Sequence, residues 1–579
     1  MSKCIYRSLP EKGKAAEKGG SFLRLVDERE VPSTLKNFAD GKKYFIRTYG
    51  CQGNVRDEEI MAGYLEKAGF SRTLEENEAD LALINTCAVR ENAEEKIYGE
   101  IGKFKANKEK NPSFLLVLAG CVMGEEGVAK KLEETYPYIS LIIGTHDVSN
   151  ILVLLNEVLE KKKNIVDVRS FAGEIVENMP STRLSSFEAY VNISYGCDKF
   201  CTYCIVPYTR GRERSRLQKD VVKECQKLVD EGYKQITLLG QNVNSYGLDL
   251  HDGTSFAGLL EEVAKLGIPR LRFLTSYPSQ FTSEMIDVMA KYPSIVHWLH
   301  FPVQSGSTSC LKRMGRRYDR ETYLSLVKEI KEKIPDIALT SDIIVGFPLE
   351  SEEEFEDTLS LCEEVSYSSA FTFIYSPRIG TPAAKMPQLD EKVTHERFDR
   401  LKKVIEDSTS KHSEGMVGKT FEVLVEGPSK KDDKVLSGYA RNGKLINFEG
   451  PSYLTGALVD VKVTESKTYS LRGELVGDPL IWKAKDVSFL LQHDPLLKEY
   501  LSLDEAIRKD ESVAKLGESL VEIKKRMCLD VMDVEKYKQD KKEYEDCLLA
   551  IKNNPLLSNR DALLNDVEER LLEVRDLLR

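Results

Sequence analysis

The sequence predicts an α/β protein built from several modules. They are an N-terminal open parallel α/β sheet domain, a partial (β/α)6 barrel, a small all-β barrel and an all-α C-terminal extension. Three observations predict this. Strand-like and amphipathic stretches alternate six times between residues 188 and 377 and four times between 44 and 161. Repeated β-then-α units require a parallel sheet. Short alternating stretches separated by Gly, Asn and Asp then run from 417 to 476, and a helical pattern fills the rest. At 579 residues the chain exceeds what one core holds, so several domains are expected.

Residues 1–40 read as a disordered, charged lead-in without the apolar core of a signal peptide. The first α/β domain spans 41–165, with strands at 44–49, 81–86, 114–119 and 141–144 and helices at 57–68, 92–105, 128–134 and 148–161. Cys51, Cys87 and Cys121 fall directly after the first three of these strands. In an open parallel sheet those strand ends meet at one crevice. Thiols 36 and 34 residues apart would therefore converge into a three-thiolate site. The ordinary alternative is three buried structural cysteines, but a position after every one of three strands favours a site.

The barrel spans 180–410, with strands at 189–194, 235–241, 270–276, 297–303, 338–346 and 370–375 and helices at 220–231, 256–266, 320–333 and 352–365. Chemistry in such barrels sits at the C-terminal ends of the strands. Just after the first strand comes Cys197-Asp-Lys-Phe-Cys201-Thr-Tyr-Cys204, spaced C-x3-C-x2-C. Paired zinc motifs read C-x2-C with a second pair further on, and no second pair follows nearby. Three thiolates on a short loop suit three irons of a four-iron cluster and leave the fourth open, unlike electron-transfer clusters with four protein ligands. Polar groups gather at the later strand ends: Gln241 and Asn242, Ser276 and Tyr277, Gln304 and Ser305, Ser341 and Asp342, Tyr375 and Arg378. The string Arg210, Arg212, Arg214 and Arg216 follows the cysteine loop, where it would meet backbone phosphates.

The all-β barrel, 415–477, is read from strands at 420–425, 435–440, 445–448, 458–465 and 470–475. Its local cations are Lys430, Lys431, Lys434, Arg441 and Lys444. The extension, 485–579, is helical, for example over 561–578, and Asp494-Pro495-Leu496-Leu497 recurs as Asn554-Pro555-Leu556-Leu557. Each Asp/Asn-Pro supplies a cap followed by Pro in the first turn. The net charge of −11 argues against a generally basic nucleic-acid protein and leaves a local basic groove open. Twelve cysteines without a signal argue for a reducing, cytoplasmic setting and for metal ligation rather than disulfides. Cys4, Cys225, Cys310, Cys362, Cys528 and Cys547 read as core or surface thiols. No run of eighteen apolar residues occurs, so no membrane span is expected.

The cysteine loop, with Tyr203 before its last cysteine, resembles the signature of the radical S-adenosylmethionine (SAM) superfamily. With the upstream set, the chain resembles the radical-SAM methylthiotransferases over about residues 41–476, through TYGCQGNVRDEE, INTCAVRENAEEKIYG, GCDKFCTYCIVPYTRGRERSR, LLGQNVNSYG, LHFPVQSGS and TSDIIVGFP. TYGCQ and GQNVNSYG point to the branch acting on N6-isopentenyladenosine at tRNA position 37. Related branches act on threonylcarbamoyl-adenosine in tRNA or on a ribosomal protein, and a non-enzymatic iron–sulfur RNA-binding or sensor protein is the reading from another class. The resemblance implies a radical SAM barrel, a TRAM-type RNA-binding β-barrel and two [4Fe-4S] clusters. Cys51, Cys87 and Cys121 would hold the auxiliary cluster, and Cys197, Cys201 and Cys204 the one that binds SAM. Gly240, Gln241, Asn242, Tyr203, Ser341 and Asp342 are the expected SAM contacts, and no catalytic side chain is singled out. It further implies two SAM per turnover, a tRNA anticodon arm as substrate and an external electron donor. Two strings depart from the family: Gly120-Cys121-Val122-Met123-Gly124, where the family reads G-C-M-A-Q, and Tyr277, where it has His. The extension resembles the YlbF/YmcA-type small helical proteins, implying a protein partner or self-association.

Overall fold

The computed structural model describes residues 5–6, 23–88, 91–125, 127–169, 174–429 and 432–577. Cys4, Lys430, Lys431 and Leu578 lie outside the described residues. The chain divides into two compact units, one of Met1–Leu228 with Tyr233–Pro479, the other of Val229–Gly232 with Leu480–Arg579.

The first sheet of the larger unit has seven strands, in the order Ile5–Tyr6, Ile165–Asp167, Leu141–Ile143, Leu115–Gly120, Leu81–Thr86, Lys43–Tyr49 and Ser71–Arg72. All pairings are parallel. Helices cover both faces of such a sheet, which is why every residue of Leu81–Thr86 and Leu115–Gly120 is buried, apolar throughout Leu115–Gly120 and as far as Ile84 in the other. One expectation fails. Residues 23–40 are ordered: Leu23–Val26 pairs with Glu174–Glu177, and helix Ser33–Ala39 buries Leu35 and Ala39. The flanking charges suggested disorder, but a β-ladder is made by main-chain groups, and Leu23 and Val26 stay exposed within it.

Six parallel strands follow in sequence order: Glu188–Asn192, Gln235–Leu239, Arg270–Phe273, Trp298–His300, Ala338–Val345 and Ser369–Ile374. A bridge between Leu271 and Ile295 joins the first three to the last three, giving an open arc. The strands expected at 270–276 and 297–303 overrun the ladder, which stops at Phe273 and His300. Thr275 and Gln304, both at φ 70°, turn the chain there, so the residues beyond are loop residues at the C-terminal ends.

Thr420–Ser429, Asp432–Ala440, Leu445–Glu449, Leu458–Ser466 and Ser470–Leu475 close into a five-stranded barrel. It docks on the N-terminal ends of the six parallel strands. Arg270, 1% exposed, donates to Glu422 Oε1 and to the carbonyls of Glu422 and Tyr439. Two cations expected to face RNA turn inward instead. Arg441 donates to the carbonyls of Pro269 and Pro293, and buried Lys444 donates to Ser413 Oγ at 3.0 Å. They hold the module in place, and Lys434 remains exposed.

The second unit carries helices Pro479–His493, Pro495–Lys509, Glu511–Leu529, Val534–Lys552 and Pro555–Leu577. Asp494 accepts from the amides of Leu496 and Leu497, and Asn554 from those of Leu556 and Leu557. The repeated Asp/Asn-Pro is thus a repeated helix start. Cys547 donates to the Leu516 carbonyl, and Cys528 is exposed. No described helix is long and apolar enough to cross a membrane.

Candidate functional site

Strand register decides where the first three cysteines go. Tyr49, Thr86 and Gly120 lie side by side in the ladder. The chain leaves all three strands at that level, so Cys51, Cys87 and Cys121 emerge together. Cys51 precedes helix Gln52–Ala68, and Cys87 and Cys121 are buried. The Cys51 thiol is drawn down to about 5 by its hydrogen bond with Cys87 and by the Arg210 guanidinium. Burial pushes Cys121 up.

Asn54 and Asn85, both fully buried, form the floor of this site. Asn54 Nδ2 donates to Asn85 Oδ1 and the Thr86 carbonyl, Asn85 Nδ2 donates to the Asn54 carbonyl, and Asn54 Oδ1 accepts from Cys51 Sγ at 3.4 Å. Sequence reasoning missed both, although each stands two or three residues from a cysteine. Gly120 (φ 104°) makes the convergence possible, since a Cβ there would stand 2.2 Å from the Thr86 carbonyl oxygen. Gly120→Ala is expected to cost about 3 kcal/mol, as backbone strain plus overpacking. Urea unfolding checks this, and a change below about 0.5 kcal/mol would contradict the packing described.

The second set sits on the loop after Glu188–Asn192. Gly196 (φ 72°) starts the loop, where a Cβ would meet the Arg212 carbonyl oxygen at 2.2 Å. The loop is pinned by main-chain bonds: Cys197 N to Gly211 O, Thr202 N to Met314 O, and Ala383 N to Thr202 O. Thr202 Oγ1 donates to the Arg313 carbonyl at 2.8 Å. Burial and the neighbouring Cys201 push the Cys204 thiol up to about 12, and burial raises Cys197 too. Ligation of iron by such thiols releases protons, which couples loading to pH. Arg316, also missed from sequence, donates to Cys201 Sγ at 3.6 Å and lies over the Tyr277 ring.

Among the described residues no three His, Cys, Asp or Glu side chains are spaced to enclose a single ion. A four-iron cluster asks for something else, because each thiolate takes a different iron. Both trios have the soft donor set for it, three sulfurs each.

The expected cofactor contacts divide. Gly240, Gln241 and Asn242 do lie just past strand Gln235–Leu239. Asn242 Oδ1, Ser194 Oγ and Ser276 Oγ are buried without a partner at the ends of the first three strands. Buried polar atoms are normally paired, so three orphans at one rim fit a polar cofactor lying across it. Tyr203 is half-buried, edge-on to Phe347 in an apolar cluster with Cys310 and Met314. Asp342 is half-buried with His300 Nε2 3.4 Å away. Ser341 is a correction: its hydroxyl accepts from Val303 N and donates to the Phe301 carbonyl, so its bonds are spent inside the sheet.

The arginine string is the larger correction. Arg210 donates to Cys121 Sγ at 3.1 Å and to Asp57 Oδ2 at 2.7 Å. Arg212 grips Asp198 with two bonds. Arg214 is buried and donates to the carbonyls of Arg210 and Arg212. Arg216 is buried between Glu177 and Glu224. Their sequence pattern looked like an exposed cationic strip, yet all four are paired within the protein, and Arg210 reaches across to the first domain. Lys199 lies over the Tyr277 ring, and exposed Arg317 donates its amide to the Tyr277 hydroxyl.

Comparison with known proteins follows this division. Residues 43–144 match the profile described as Uncharacterized protein family UPF0004, 191–362 that of the Radical SAM superfamily, and 414–476 the TRAM domain. The protein named tRNA-2-methylthio-N(6)-dimethylallyladenosine synthase of Geobacillus kaustophilus is 48% identical over 473 residues, covering 81% of this chain and 89% of that one. Its namesake in Bacillus cytotoxicus is 48% identical over 468 residues, covering 80% of this chain and 92% of that one. The Bacillus subtilis protein of the same name is 47% identical, with the same coverage of 80% and 92%.

Proposed function

The chain belongs to the tRNA-2-methylthio-N(6)-dimethylallyladenosine synthase family of radical SAM proteins, and from that premise we propose its reaction and the residues that serve it. It is a radical SAM methylthiotransferase that converts N6-isopentenyladenosine at tRNA position 37 to the 2-methylthio derivative. When bound, a [4Fe-4S] cluster and SAM supply the radical chemistry that an unactivated adenine C2–H bond demands, and an auxiliary cluster supplies the sulfur.

Cys197, Cys201 and Cys204 hold the first cluster and Cys51, Cys87 and Cys121 the second. The observation that carries this reading is the register that brings Cys51, Cys87 and Cys121 to one level, beside the loop that bears the other three. Asn242, Ser194 and Ser276 offer unspent polar atoms to the amino-acid and ribose groups of SAM. Arg316 fixes the Cys201 side of the loop. Cys87, Cys121 and Cys201 are buried, while Cys51, Cys197 and Cys204 keep partial access. The substrate base must be splayed from its loop to reach this rim, at a cost of a few kcal/mol. Electrons come from an external donor, and the setting is cytoplasmic. The C-terminal helices serve association with a protein partner or a second copy, which their acidic character suits better than RNA contact.

Anaerobic incubation of reconstituted protein with SAM, reductant and tRNA bearing isopentenyladenosine, followed by mass spectrometry of the nucleosides, tests the proposal. The expected result is CH3S in place of H on that nucleoside. 5′-Deoxyadenosine without that product would redirect the substrate assignment to threonylcarbamoyl-adenosine or a ribosomal protein.

A further inference from the structure

We infer that Arg210, from the SAM-binding domain, sets the electron affinity of the auxiliary cluster through a charged hydrogen bond to its Cys121 ligand. This rests on the reading of Cys51, Cys87 and Cys121 as cluster ligands. Arg210 is 8% exposed, and its side chain crosses from one domain to the other. Its Nε donates to Cys121 Sγ at 3.1 Å, and its Nη2 donates separately to Asp57 Oδ2 at 2.7 Å. A Cβ on Gly53 would stand 3.5 Å from Cys51 Sγ and 3.8 Å from Arg210 Nη2, so a second ligand sulfur also lies close to the cation.

The segment that carries Arg210 cannot drift. Its amide donates to the Val206 carbonyl, and its own carbonyl accepts from Arg214. Thr145 Oγ1 donates to the Thr209 carbonyl at 2.7 Å, and Ile205 and Tyr208 pack with Cys121, Val122 and Met123. The donor is therefore held rigidly beside the sulfur.

One-electron reduction adds negative charge to a cluster, and hydrogen bonds to its sulfurs favour the reduced form. A charged donor does so more strongly than a neutral one. Partners of ligands tune a metal centre in this way. Asp57 offsets part of the effect by neutralising the guanidinium. Arg210 is thus a positioning residue with an electrostatic duty, and it makes the potential of one cluster depend on the docking of the other domain.

The full chain with Cys197, Cys201 and Cys204 all replaced by Ala isolates the auxiliary cluster. It is reconstituted anaerobically, assayed for iron and titrated with dithionite while paramagnetic resonance follows the reduced form. Arg210→Lys keeps the charge that pairs Asp57 but loses the Nε donor. It is expected to load iron normally, with the reduced-to-oxidised ratio at the parent midpoint down about tenfold, a shift of about 59 mV for one electron. Asp57→Asn, which leaves the guanidinium uncompensated, should shift the midpoint the other way. An iron-loaded Arg210→Lys chain with an unchanged midpoint overturns the inference, as does an Asp57→Asn shift of the same sign. If the parent triple-Ala chain loads no iron, the auxiliary-cluster reading itself falls, and the inference with it.

Discussion

Cys201→Ala protein, reconstituted anaerobically, should form no 5′-deoxyadenosine from SAM, whereas Cys87→Ala protein should keep forming it and lose the methylthiolated nucleoside. The two cysteines are both buried, Cys201 on a pinned loop and Cys87 directly after strand Leu81–Thr86, so neither loss is expected from general unfolding. They differ in which trio they belong to. Removing Cys201 takes the central sulfur from the loop and leaves Arg316 facing no anion. SAM cleavage should fall at least about a thousandfold, a barrier higher by roughly 4 kcal/mol. Removing Cys87 leaves that loop untouched, because its contacts are with Cys51 and the strand-end floor. Each variant should lose about half of the iron bound by the wild type. If Cys87→Ala makes product at the wild-type rate, the assignment of Cys51, Cys87 and Cys121 is wrong. If Cys201→Ala still cleaves SAM, the loop is not the SAM site.

Much of this was legible because the relevant signals are local. A fully buried parallel strand is mostly apolar, so Leu81–Ile84 and Leu115–Gly120 announce their strands, and Cys87 and Cys121 each stand one residue past the strand end. The barrel strands were legible for the same reason, but not their ends. Hydrophobicity continues past Phe273 and His300 into residues that leave the ladder, since a buried loop is as apolar as a buried strand. The arginine string was misread because its partners are remote. Arg210 finds Asp57, 153 positions away, and Arg216 finds Glu177, 39 away. No window of sequence tells an arginine paired inside from one solvated outside. Ser341 failed for a related reason: it lies within strand Ala338–Val345 rather than at its end, and the carbonyl that takes its proton, Phe301, is 40 residues upstream.

The same remote pairing makes Arg216→Ala the substitution with the largest expected cost in stability. The Arg216 side chain is 7% exposed and donates to Glu177 Oε2 at 2.5 Å, Glu224 Oε2 at 2.7 Å and the Asn192 carbonyl at 2.7 Å. Glu224 is shared with Arg183 and Arg56, which also reach Glu59 on the first domain's helix Gln52–Ala68. Deleting one member of a buried pair leaves charge without compensation, at about 3–5 kcal/mol. Glu177 bears most of this, since Glu224 keeps two other arginines. Arg56→Ala should therefore cost less than Arg216→Ala. Acid supplies the sharper check. Burial alone would raise the Glu224 carboxyl, but Arg216, Arg56 and Arg183 together hold it at about 2. A carboxylate depressed on folding lends stability that is complete above its unfolded value, about 4.3. That stability is lost as pH falls from there toward 2. In Arg216→Ala the folded value moves back up, so less of this contribution remains to be lost. Urea unfolding of the cluster-free chain should then show the deficit of Arg216→Ala holding level from pH 7 to about 5 and narrowing as pH drops from about 5 toward 3. A deficit that stays constant over that interval would mean the arginine acts by packing alone and not by holding buried carboxylates.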